Sequence, residues 1–339
     1  MAGQAFTIGG IEVAPGERRL VNLPLSALSN RTPMAVPVSV IRGRREGPTL
    51  FVSAAIHGDE LTGVAICRRL LASRAMKVTA GTLLMVPIVN AFGFISHSRY
   101  LPDRRDLNRS FPGSVRGSLA AQLANLFFTE VVARSDFGID LHSAAIHRSN
   151  LPQIRADTRD GKSLELATAF GAPIIVHSGL REGSLRQSAG EKGVPVIVYE
   201  AGEGLRVDEL SVNVGMRGVL RVMAHLGMVR RSRDPRRPAS VLSTSSRWVR
   251  AEESGLFRPY RNIGDHVVAG QVIGVIADPY GEREEELKAS ISGIVIGRAN
   301  IPAINQGDAL FHIAKVEDAN KVGKHLDTLE RMLDEDEIL

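Results

Sequence analysis

An α/β fold, with a mostly parallel or mixed sheet flanked by helices and followed by a small all-β unit, is what this sequence predicts. Three observations carry that expectation. Between Leu50 and Leu226, short apolar runs of strand length alternate with segments of helical period. Three of those runs end in a histidine or a carboxylate, as strands of an open α/β sheet do when their carboxyl ends line a site. Beyond a basic stretch, the composition changes to short strands and turns.

With 339 residues, 44% hydrophobic and 23% charged, the chain has room for two domains of ordinary size and the make-up of a globular protein. The start, M-A-G-Q-A-F-T-I-G-G, lacks a basic flank before an apolar core, and no later apolar run approaches the ~20 residues that cross a bilayer. A cytoplasmic protein without a membrane partner is the expectation. Cys67 is the only cysteine, which excludes an intrachain disulfide and a cysteine metal cage. The formal charge of +5 sits largely in short runs, Arg42–Arg45 and Arg230–Arg237. No nucleic-acid motif or interleaved aromatic accompanies them, so nucleic acid is not an expected partner.

Taken in order, Ile8 to Ile41 contains alternating segments, clearest in V-P-V-S-V-I (Val36–Ile41), expected as strands at one edge of the sheet. The stretch L-F-V-S-A-A-I-H-G-D-E (Leu50–Glu60) reads as a buried strand that delivers His57, Asp59 and Glu60 to its end. Gly58 allows the backbone to bend there, so His57 and Glu60 can chelate one ion; the alternative is that Asp59 and Glu60 complement a helix dipole. Leu61, Val64, Cys67, Leu70 and Leu71 give the next segment a helical period.

Gly81–Val89 is a second buried strand, and a long loop without periodicity runs from Asn90 to about Gly117. Its arginines and embedded Tyr100, Leu101, Leu107 and Phe111 mark it as ordered and functional. Ser118 is the expected N-cap of a helix with a stripe at Leu119, Leu123, Leu126, Phe127 and Val131. Phe137–Leu141 ends in D-L-H-S, where Asp140 and His142 share a face; a carboxylate there is the usual support for a metal-ligating imidazole. Pro173–Val176 and Val194–Tyr199 are further strands, the latter delivering Glu200, and Asp208–Leu226 is a helix.

Histidine, carboxylate and histidine form a three-ligand set that suits one Zn²⁺ per chain with a fourth position open, an arrangement that lowers the pKa of a water toward ~7. Glu200 is placed to act as general base, with Glu203 as its competitor. The loop from Arg99 to Arg109 supplies arginines for an oxyanion or a substrate carboxylate, with a surface salt-bridge network as the alternative for Arg104 and Arg105.

In sequence order, H-G-D-E, D-L-N-R-S-F-P-G, D-L-H-S and V-Y-E-A-G resemble the succinylglutamate desuccinylase/aspartoacylase family of the zinc carboxypeptidase clan, over roughly Val36 to Ile313. The resemblance implies His57, Glu60 and His142 as zinc ligands and Glu200 as general acid/base. It implies Asn108 and Arg109 as the pair that holds the substrate carboxylate, and Arg186 as a further substrate contact. Arg99 resembles the arginine that polarises the scissile carbonyl, with Arg104 the alternative because the stretch before Asp106 is longer than in aspartoacylase. The implied activity is a zinc amidohydrolase acting on a small N-acyl amino acid. A carboxypeptidase acting on short peptides and a non-catalytic sensor of an acidic metabolite are the rival readings.

Residues 1–232 are thus expected to form the hydrolase domain, and 233–247 a basic linker. Within 248–316, Ser254–Ile276 is echoed by Ser292–Ile313, each half with a G-D turn before its closing strand, a pattern that resembles a lipoyl or biotinyl β-sandwich. Lys288 is the only lysine of the joining segment and has no flanking methionines, so the unit is read as a structural or lid module rather than a swinging arm. Residues 317–339 are acidic, with Val322, Leu326, Leu329 and Leu333 at helical spacing. Such a helix packs on its parent or on a neighbouring subunit, which would make a homo-oligomer.

Overall fold

The structure, a computed structural model, describes residues 4–27, 29–73, 76–230, 239–317 and 321–328. Among these, 13 strands form one mixed sheet with helices on both faces. From one edge the order runs Arg18–Ala27, Pro33–Arg42, Ala80–Val86, Arg45–Ala54, Phe137–His142, Val196–Glu203, Arg148–Ala156, Gly293–Ala299, Ala309–Ala314 and Ser246–Arg250. Ile174–His177, Val241–Ser243 and His266–Val267 pair beside this path. No helix among the described residues is long and apolar enough to cross a membrane.

The strands that end in His57, His142 and Glu200 lie side by side and run parallel, Val52 in register with Ile139 and Ile139 with Ile197. Residues alternate across the pleat. Leu50, Val52 and Ala54 enter one core with Ile139 and Leu141, under the helices Thr62–Ala72, Gly161–Phe170 and Glu209–His225. Phe51 enters the opposite core, edge-on to Phe127 of the helix Leu119–Glu130. Each fully buried Leu or Phe contributes ~1.5–3 kcal/mol, so both faces of the central strands stabilise the platform beneath the site.

Ser118 caps the Leu119–Glu130 helix through its side chain, and Asp208 caps Glu209–His225 in the same way. The stretch expected as a non-periodic loop contains a five-residue helix, Ala91–Ile95, capped by Asn90, and a 3-10 turn, Leu107–Arg109, capped by Asp106. Local side-chain bonds start both elements where no apolar period announces them.

Arg148–Ala156, Gly161–Phe170 and Leu185–Glu191 are elements that the sequence reading did not identify. The strand around Glu200 spans Val196–Glu203, longer than expected, and continues past Glu200 through a bulge to pair with Arg148–Ala156. Within the stretch expected as linker, Val241–Ser243 is a strand parallel to Ile174–Val176; most of the basic run, residues 231–238, lies outside the described residues.

The C-terminal strands join the same sheet, because Gly297–Ala299 pair with Arg148–Asn150. Glu284–Lys288, Val272–Ala277, Gly255–Pro259 and Ala303–Ile304 form a separate four-stranded sheet facing them. The two half-repeats share one turn: Asp265 accepts from the Asn262 N–H, and Asp308 from the Asn305 N–H, in N-I-G-D and N-Q-G-D. Lys288 ends an exposed strand and does not sit at the 278–283 turn. Residues 321–328 are helical and bury Val322; Leu329 and Leu333 lie outside the described residues.

Candidate metal centre and substrate cavity

His57, Glu60 and His142 are all buried, and one donor atom from each lies within 4.8 Å of the others. Glu60 bridges the pair: Oε1 is 2.7 Å from His57 Nδ1, and Oε2 is 2.7 Å from His142 Nδ1. Each imidazole turns its other nitrogen to a second carboxylate, His57 Nε2 to Asp106 Oδ1 at 3.1 Å and His142 Nε2 to Asp140 Oδ2 at 2.7 Å. Metal-ligating histidines are oriented in this way, with the outer carboxylate fixing ring and tautomer. The donor set of two imidazoles and a carboxylate therefore fits a zinc ion with a position left open.

Backbone geometry explains how three elements meet here. The parallel strands deliver Ala54 and Leu141 in register, and Ala55, at φ +49°, turns the chain out of the sheet just before His57. The bend expected at Gly58 is thus made at Ala55. Gly58 serves a different need: a Cβ there would lie 1.9 Å from the carbonyl carbon of Gly93, so only glycine lets the two segments approach. The helix that follows starts at Thr62 with no acidic residue in its first turn, and Glu60 faces the histidines instead of a helix dipole.

Burial opposes charge on all three groups, but their mutual attraction prevails. Asp140 and Glu60 hold the His142 imidazole well above its usual pKa, and Glu60 and Asp106 raise that of His57. Against the same burial, the two histidines hold the Glu60 carboxyl well below the usual carboxylate range.

Above the histidines lies a cavity of about 280 Å³, lined by Glu200, Arg99, Asn108, Arg109 and Arg186 together with the centre itself. Glu200 is in register with His142 across the parallel pair. Asn150 donates to its Oε2 at 2.9 Å, and Arg155 Nε lies 3.7 Å from Oε1. Glu203 is elsewhere engaged, accepting from the His147 N–H and from Asn300 Nδ2, and does not line the cavity.

Arg99 is ion-paired with Asp106 at 2.9 Å, and its Nη1 lies 3.5 Å from Glu60 Oε1. Arg104 is exposed, at φ +61°, and contributes nothing to the cavity wall. Of the two arginines left open by the sequence, Arg99 is the one at the centre. Asn108 Oδ1 accepts from the Leu185 N–H at 2.9 Å, which fixes the carboxamide, and Arg109 donates to the Asn108 carbonyl. Arg186 is held by Ser178 O and Oγ and by Gly179 O; burial and the nearby Arg155 lower its pKa from the ordinary guanidinium value.

Sequence reasoning missed Asp106, Arg148, Asn150, Arg155 and Trp248, which either support the histidines or line the cavity. Asp106 carried a signal, because it opens D-L-N-R. Trp248 carried a weaker one, as the single tryptophan of the chain. Nothing in the sequence marked Asn150 or Arg155.

A mixed α/β sheet with two histidines and a carboxylate gathered at the ends of parallel strands defines a protein with a metal-competent cavity at its sheet edge. The family model for the succinylglutamate desuccinylase/aspartoacylase catalytic domain matches residues 46–226, and the chain belongs to that family. It is 31% identical over 294 residues to the N-alpha-acetyl-L-2,4-diaminobutyric acid deacetylase of Halomonas elongata, a match that covers 83% of this chain and 86% of the relative. Its fold is similar to a succinylglutamate desuccinylase from Silicibacter sp. TM1040, with a TM-score of 0.80, 27% identity and coverage of 89% and 95% of the two chains. It is also similar to the product-bound ectoine utilization protein EutE (DoeB) from Ruegeria pomeroyi, with a TM-score of 0.79, 26% identity and coverage of 88% and 94%.

Proposed function

We propose that this protein is a zinc-dependent amidohydrolase that removes an acyl group from the nitrogen of a small, carboxylate-bearing amino acid. The observation that carries the reading is the buried His57–Glu60–His142 set opening into the same cavity as Glu200. The family, and a relative named as an N-acetyl amino acid deacetylase, support it.

His57, Glu60 and His142 would hold a zinc ion, which would supply Lewis acidity and a water of pKa near ~7. Asn108 and Arg109 hold the substrate carboxylate, and the fixed carboxamide oxygen of Asn108 leaves its Nδ2 donors to the ligand. Arg99 stabilises charge developing on the scissile carbonyl oxygen, while Arg186 contacts the substrate from the far wall. Glu200 takes a proton from the attacking water and returns it to the departing nitrogen. One C–O bond forms and the C–N bond breaks, giving a carboxylic acid and an amine.

Residues 1–232 carry this centre, and the C-terminal strands form a lipoyl-like β module that walls it with Trp248. At about 280 Å³ the cavity falls just below the usual span of ligand pockets, ~300–1,000 Å³, which favours a small N-acyl amino acid over a peptide chain.

Elemental analysis of protein purified without added metal, followed by a hydrolysis panel, tests the reading. About one zinc per chain is expected in the wild type and none in His142→Ala. N-acetyl and N-succinyl amino acids are turned over in preference to short peptides, and Glu200→Gln loses ~10²–10⁴-fold in kcat. A wild type that binds no divalent metal when offered zinc, or a Glu200→Gln variant at full rate, overturns it.

A further inference from the structure

We infer that Asn150 is the positioning residue for Glu200: its carboxamide fixes one carboxylate oxygen and leaves the other to carry the proton. This rests on Glu200 acting as the base in the reading above. Asn150 Nδ2 donates to Glu200 Oε2 at 2.9 Å. The other oxygen, Oε1, has Arg155 Nε at 3.7 Å, too far for a hydrogen bond but close enough for attraction. The two oxygens are therefore unlike. A neutral amide engages Oε2 without supplying a charge or a labile proton, and Oε1 remains available.

The backbone builds this contact deliberately. Glu200 pairs with Gln153 on the antiparallel neighbour, the register then shifts, and Gly202, at φ +73°, pairs with Asn150. The bulge re-aims the strand so that a side chain three residues from Gln153 reaches the Glu200 carboxylate. Asn150 is 8% exposed and stands between two strands, because it also pairs with Gly297 of Gly293–Ala299. A Cβ at Gly297 would come 3.0 Å from Asn150 Oδ1 and 3.2 Å from His312 Cβ, so the absent side chain is what gives the carboxamide its place. Three separated segments thus lock one rotamer, which is how a proton carrier is held within a fraction of an ångström of its working position. The same neighbourhood explains why Glu203 does not serve: His147 and Asn300 already occupy its oxygens.

A double-mutant cycle tests the inference. Asn150→Leu keeps much of the volume and removes the donor without adding a charge beside Glu200, and Gly297→Ala crowds the carboxamide without touching Glu200. Both are assayed alone and in Glu200→Gln, on the N-acyl amino acid turned over fastest in the panel, with zinc content and Tm measured on each protein. In the Glu200 background Asn150→Leu is expected to lower kcat on the order of 10–10²-fold, with KM within about threefold and zinc content unchanged. Gly297→Ala falls between that variant and wild type. In Glu200→Gln neither change costs anything further, because the group it acts through is gone.

An Asn150→Leu enzyme within twofold of the wild-type kcat overturns the inference, as does a loss of equal size in both backgrounds. If Asn150→Leu fails to fold, Gly297→Ala and Asn150→Ala decide by the same two criteria. A Glu200→Gln enzyme at full rate removes the proposed function itself, whereas an inactive Glu200→Gln beside an unimpaired Asn150→Leu removes only this inference.

Discussion

Asp140 lines the cavity beside His142, and its two oxygens are both committed. Oδ2 faces His142 Nε2 at 2.7 Å, and Oδ1 accepts from the Ser53 hydroxyl at 2.8 Å, the two residues standing opposite each other in the parallel ladder. The carboxylate therefore orients the ring so that His142 Nδ1 faces Glu60, where the proposed zinc would bind. Asp140→Asn preserves volume but removes the charge and one acceptor. Zinc affinity is expected to fall ~10–100-fold, read by competition with a chromogenic chelator, while the protein stays folded. Affinity equal to wild type would show that the pair is merely structural. His57, Glu60, His142 and Glu200 were legible because each follows an apolar run that names its strand. Arg99 and Arg104 were not separable in the sequence, since it is the pairing of Arg99 with Asp106 across the loop that places it at the cavity, a contact that no local pattern encodes. Asn150 was invisible, because its nearness to Glu200 depends on a bulge in an antiparallel pairing that no local pattern encodes.

Two short segments set the position of His57: the turn after Arg45–Ala54 and the helix Ala91–Ile95. They are stitched by Val89 N–H to Ala54 O, Asn90 N–H to Ala55 O and Asn90 Nδ2 to Ile56 O. At their crossing a Cβ on Gly58 would strike Gly93 and Phe94 backbone at 1.9–2.3 Å, atoms that no rotamer change can move. Gly58→Ala is therefore expected to cost ~1–3 kcal/mol in unfolding free energy and, because the displaced turn carries His57, one of the proposed ligands, to weaken zinc binding as well. A calorimetric Tm and a zinc titration both at wild-type values would refute the close-packing account. The same scale shows why Arg148–Ala156 escaped the sequence reading. Ser149, Asn150, Gln153 and Arg155 break its apolar run, and Pro152 argues against a central strand. The proline falls where the strand changes neighbour, from Gly297–Ala299 against residues 148–150 to Ile174–His177 against residues 153–156, so no ladder bond is asked of it there.

Across the whole molecule the C-terminal strands extend the catalytic sheet instead of hanging from a linker, which the composition change at the basic run could not reveal. Their contact with the cavity passes through a stack: His312 lies flat on Trp248, with ring centroids 4.4 Å apart and planes 10° apart, and its Nε2 meets Ser246 Oγ at 2.8 Å. Burial, with a smaller push from Arg155, holds the His312 pKa down to about 3. Its unfolded value is 6.5, so between pH 6.5 and 3 the unfolded chain binds a proton that the folded one refuses. Stability from this group is complete above pH 6.5 and is lost as pH falls toward 3, by at most about 1.4 kcal/mol per pH unit. His312→Gln keeps a polar partner for Ser246 and removes the titration. The wild-type-minus-variant difference in unfolding free energy, measured in urea from pH 7 to pH 4, is therefore expected to shrink steadily with acidification. A difference that stayed flat across that range would mean that His312 titrates normally in the fold, and that the joint between the C-terminal strands and the cavity is open to water.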